Sequence, residues 1–86
     1  MYDYQRERPE LFTESGMAMF IKLRDQVRSL CNTAGAVRFD KLSYSGSSWT
    51  ALACMDLMIE RKEIRRVTGD SGSRWSQYHI YELVQE

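Results

Sequence analysis

The feature that most constrains this chain is a change of residue character near Glu63. Upstream, apolar residues recur at helical spacing. Downstream, β-branched and aromatic residues gather in residues 64–68 and 75–84, on either side of Gly69-Asp70-Ser71-Gly72-Ser73. Runs of that kind around a glycine-rich loop predict a β-hairpin. The chain therefore ends in an antiparallel ribbon that must share its apolar face with the helices before it.

Met17, Phe20, Ile21, Leu23, Val27, Leu30 and Cys31 recur at helical spacing, with Lys22, Arg24, Asp25 and Arg28 between them, and predict a first long helix. Thr13 or Ser15 can cap its start, and Asn32 and Gly35 suit its end because both tolerate left-handed backbone. Val37, Phe39 and Leu42, set around Arg38, Asp40 and Lys41, predict a short second helix that only packing could hold. The turn-forming run 43–48 follows, and Ser47 or Ser48 is placed to cap a third helix over residues 49–62. That stretch holds no Gly or Pro and aligns Leu52, Met55, Met58 and Ile59 on one face. Residues 1–12 alternate aromatic and charged side chains around the only proline, Pro9. They read as an N-terminal arm ahead of one domain spanning 13–86.

The order helix, short helix, serine-rich turn, helix, hairpin resembles the winged helix-turn-helix family. Met55-x-x-Met58 followed by Ile64-Arg65-Arg66-Val67 is similar to that family's junction between its third helix and first wing strand, except that Lys62 or Glu63 stands where glycine is commonest. The resemblance covers residues 13–84. It implies an α+β fold of three helices closed by a two-stranded wing whose tip spans 69–74, with Tyr78, Ile80 and Leu83 in the hairpin core. It also implies a small DNA-binding regulator. Such a domain lays the start of its third helix in the major groove and rests its wing on phosphates. Carried over, this assigns Ser47, Ser48, Trp49, Thr50 and Ala53 to the groove and Arg65, Arg66, Arg74 and Trp75 to the wing.

Charge divides the case. Twelve Lys and Arg balance twelve Asp and Glu, so attraction to phosphate must come from local asymmetry. Residues 60–79 supply one: Arg61, Lys62, Arg65, Arg66 and Arg74 against Glu60, Glu63 and Asp70. The outward face expected of the third helix (Trp49, Ala53, Asp56, Leu57, Glu60) has no Arg, Lys, Asn or Gln to read a base edge. The alternative is a protein-interaction module, a small inhibitor or adaptor, whose contact residues are Trp49, Ala53 and Leu57. A third option buries Trp49 as core. Tyr2, Tyr4, Leu11 and Phe12 suggest a surface for a homodimer.

Other classes find little support. There is no glycine-rich phosphate loop after a strand, no nucleophile elbow and no paired-carboxylate motif, so catalysis is not expected, and no cofactor is implied. His79 and the two cysteines lack metal-ligand spacing; Cys31 and Cys54 read as reduced core thiols, and His79 is given no role. The methionines read as adaptable core filling. Lys22, Arg24 and Asp25 interrupt the longest apolar stretch, short of the about 20 residues a membrane span requires. A cytoplasmic location is expected.

Overall fold

The Thr13 hydroxyl accepts the Gly16 N–H at 3.1 Å, capping a helix that runs over Glu14–Ala34 until Gly35, at φ 86°, ends it in the left-handed conformation. This is α2 of a computed structural model that describes residues 2–67 and 79–84. Among the described residues the architecture is α+β, with three α-helices and a three-stranded antiparallel sheet. The other helices are α1 (Tyr4–Glu7) and α3 (Ser48–Glu60). The strands are β1 (Val37–Arg38), β2 (Ile64–Arg66) and β3 (Ile80–Leu83), in the order β1-β3-β2. No described helix is long and apolar enough to cross a membrane.

Residues 37–42 depart from the expected short helix. Val37 pairs with Tyr81 and Arg38 with Ile80, after which Phe39–Lys41 make one 3-10 turn whose Phe39 N–H donates to the His79 carbonyl at 3.0 Å. A six-residue helix would leave most of its backbone groups without partners. An adjacent strand end supplies those partners, so sheet pairing prevails. In place of the expected two-stranded ribbon, the described residues form a sheet of three strands. On the other side of β3, Ile64 pairs with Leu83, Arg65 with Glu82 and Arg66 with Tyr81.

The passage from α3 to β2 is tight. Lys62 sits at φ 62°, where glycine is commonest, and its N–H donates to the Ile59 carbonyl while the Glu63 N–H donates to Met58 at 2.9 Å. Those two bonds satisfy carbonyls that the helix end leaves open, at a cost of about 1 kcal/mol for a side chain in left-handed backbone.

Phe20, Leu23, Val27 and Cys31 form the buried apolar stripe of α2 and join the core, with the Cys31 thiol against the Tyr81 carbonyl of β3. In α3, Ala51, Leu52, Ala53, Cys54, Met55, Leu57 and Met58 are all buried, so this helix is apolar nearly all round and enclosed accordingly. One side of the enclosure is residues 2–12. α1 and the 3-10 turn Arg8–Phe12 lie against α3, with Leu11 wholly inside the core. The Glu10 carbonyl comes so near Gly16 that a Cβ there would sit 1.9 Å from its oxygen. The N-terminal residues are thus a layer of the domain, with Leu11 inside the core and Tyr2 and Tyr4 partly buried against it. Phe12 remains exposed beneath the Arg8 guanidinium, 5.1 Å from its ring centre.

Candidate interaction surface

The first turn of α3 is the part of that helix left open. Ser47 caps it, its hydroxyl accepting the Trp49 N–H at 3.2 Å, and Ser47, Ser48 and Trp49 are exposed while Thr50 is half-buried. Trp49 is 41% exposed, so it is neither core nor buried against α2. Beyond this turn most of the helix is buried, with Glu60 exposed at its end. Ala53, expected in both contact sets, is 0% exposed, and Leu57, expected in the protein-contact set, is 3% exposed; both are core residues. Both belong to the core that α3 shares with α2 and the N-terminal layer packed against it.

The acids of that same helix face are also engaged. The Tyr2 hydroxyl donates to Asp56 Oδ2 at 2.5 Å, and Arg66 donates to Asp56 Oδ1 at 3.3 Å. The Tyr4 hydroxyl donates to Glu60 at 3.2 Å, and Arg8 grips the same carboxylate with two bonds of 3.1 and 2.8 Å. Hydrogen bonding to Arg8 holds the Glu60 carboxyl below its ordinary range. Burial, reinforced by the Asp56 hydrogen bond, raises the Tyr2 hydroxyl pKa far above normal, so it stays a donor.

Arg65 and Arg66 of β2 do not form an open basic patch. Arg65 is paired with Glu82 across the β2–β3 ladder, and Arg66 with Asp56. Each carries its own counter-charge, and this cancels much of the local excess counted along the chain. Arg74 and Trp75 lie outside the described residues. His79 packs edge-on to Tyr81 at 6.4 Å between ring centres; burial first, then the Arg66 charge, lowers its pKa. Its Nδ1 has no partner among the described residues.

A feature not anticipated from residue order lies beside the open turn. A groove of about 610 Å³ runs between the first half of α2 and the loop before α3. Its walls include Met19, Ile21, Tyr44, Ser47 and Thr50. Ile21 is 47% exposed although it sits in the apolar periodicity of α2, because nothing among the described residues covers it. The only charges on the lining are Lys22 against Glu10 and Asp25, so the groove carries no cationic surplus. Its far wall is pinned by the Gln26 amide, whose Nε2 donates to the Ser43 carbonyl at 2.6 Å while its Oε1 accepts the Ser43 N–H at 2.8 Å. That pair copies a strand ladder with one side chain and holds the serine-rich loop against α2. Both glutamine and loop are visible in the sequence, but 17 residues separate Gln26 from Ser43 and no local pattern joins them. Comparison with protein families, with curated proteins and with solved structures finds no match to this chain.

Proposed function

We propose that this chain is a winged-helix-like protein-interaction module that receives an amphipathic helical segment of a partner polypeptide in the groove between α2 and the serine-rich loop. The reading is carried by one observation: the accessible part of α3 adjoins an apolar groove with Ile21 and Trp49 exposed and no excess of cations. An exposed apolar patch with a polar rim suits polypeptide side chains, and a methionine in its wall can adapt to the ridge of a helix. Phosphate contact through β2 would favour unpaired cations there, yet Arg65 and Arg66 are matched to carboxylates. The sheet order β1-β3-β2 after α2 supports the winged-helix-like assignment, with the second helix reduced to the 3-10 turn Phe39–Lys41.

A photo-crosslinking residue placed at Ile21 or Trp49, with Arg65 as control position, tests the reading. The first two should yield the same polypeptide adduct from the host lysate, lost in Met19→Glu, and the control should not. Salt-dependent binding of random duplex DNA that disappears in Ser48→Ala and Trp49→Ala would instead assign this face to nucleic acid.

A further inference from the structure

On the opposite end of α3, charge accumulates that the groove reading does not use. Arg24 and Arg28 stand one turn apart on α2, and Arg61 follows the last residue of α3. All three converge on Glu63. Arg61 Nε lies 3.0 Å from Oε2, an Arg28 guanidinium nitrogen 3.3 Å from Oε1, and an Arg24 nitrogen 3.9 Å from Oε2. The left-handed turn at Lys62 makes this possible, since it folds Glu63 back beside the helix end and turns its N–H to Met58.

Three guanidiniums against one carboxylate leave two positive charges uncompensated among the described residues. The donors are also in surplus: a carboxylate has two oxygens, three guanidiniums present many N–H groups, and Arg24 Nε is buried with no acceptor. Two of the three lie against the same buried aromatic ring. Arg24 lies 5.3 Å and Arg61 5.7 Å from the centre of the buried Phe20 ring, so cation–π contact with one ring holds both near Glu63 and lessens the freedom they lose when a ligand arrives. Arg28 and Arg61 remain 53% and 51% exposed, leaving an approach from solvent.

We propose that Arg24, Arg28 and Arg61 form a binding site for a phosphate monoester, with Glu63 as the internal group that spaces the guanidiniums when the site is empty. The chemistry selects this ligand. A monoester dianion cancels the two surplus charges, has three terminal oxygens to receive forked donors, and is matched in geometry by arginine. A backbone diester carries a single charge and fewer free oxygens.

The test follows arginine Nε–Hε and backbone amide signals by NMR during titration with phenyl phosphate at constant ionic strength, with sodium chloride and random duplex DNA as parallel arms. Saturable shifts are expected at Arg24, Arg28, Arg61 and Glu63, in the low millimolar range, with Arg38 unmoved. Arg28→Gln should weaken binding about tenfold or more, and Glu63→Gln should strengthen it several-fold by removing the competing carboxylate. Arg28→Lys should recover only part of the loss, because a lysine cannot fork. Equal shifts from chloride, response to DNA alone, or an affinity indifferent to Arg28→Gln would overturn the proposal. Should Glu63→Gln fail to fold, the Arg28 pair decides alone.

Discussion

Replacing Gly16 with alanine should destabilise this protein, although in an unencumbered helix the same exchange stabilises by about 1 kcal/mol. Gly16 lies in the first turn of α2, beneath the 3-10 turn Arg8–Phe12. A Cβ at this position would meet the Glu10 carbonyl oxygen at 1.9 Å and the Leu11 Cα at 2.9 Å. Side-chain carbons essentially never approach closer than 3.0 Å, so the two segments must separate by 1.1 Å, the difference between 3.0 and 1.9. The obstructing atoms are backbone, which cannot swing aside. Moving them draws Leu11 from a fully buried site. Overpacking of this kind costs about 1–3 kcal/mol, and part of the roughly 2–5 kcal/mol that a buried leucine contributes is lost with it. After the helix-propensity gain is subtracted, a net loss of about 2 kcal/mol remains, equivalent to a fall in Tm of roughly 8–16 °C for a domain of this size. Urea and thermal unfolding followed by circular dichroism measure both. Gly16→Ala at or above wild-type stability would refute the reasoning, because it would mean that residues 2–12 do not rest on α2.

Three further outcomes follow from the same structure. Leu57→Glu should abolish cooperative unfolding, since it buries a charge without a partner, whereas Trp49→Ala should change stability by less than about 1 kcal/mol; calorimetry distinguishes them. Lowering the pH from 7.5 to 5 should weaken the fold through His79, whose folded-state pKa lies below the ordinary 6.5: its neutral form is favoured on folding, so the contribution is present above 6.5 and lost as pH falls toward the folded value. Thermal melts of His79→Asn should lack that part of the slope, and an unchanged profile would reject the assignment. Both cysteines should resist a thiol reagent at pH 8 until the protein unfolds. Cys54 is sealed in α3 with its pKa pushed up to about 12 by burial, and the Cys31 thiol is raised by the same cause.

What could be read along the chain was local. Thr13, Ser47 and Gly35 act within four residues of themselves, so the caps of α2 and α3 follow from residue type and order. The hairpin strands were legible for a similar reason, as short β-branched and aromatic runs on either side of a glycine-rich loop. Long-range pairing settled the rest. Residues 37–42 have helical spacing but become β1 and a 3-10 turn, because Tyr81 and Ile80, more than 40 positions away, supply backbone partners. Ala53 and Leu57 lie on the face of α3 that would point outward in a three-helix domain, yet residues 2–12 return to cover it, and no periodicity within α3 announces that cover. The arginines of β2 form a basic run only when neighbours in sequence are counted; Glu82 and Asp56 reach them through the fold. Hydrogen bonds between close neighbours depend on identity and spacing, which a linear string records. Burial and charge compensation depend on which distant surfaces meet, and they decide which side chains remain available to a ligand.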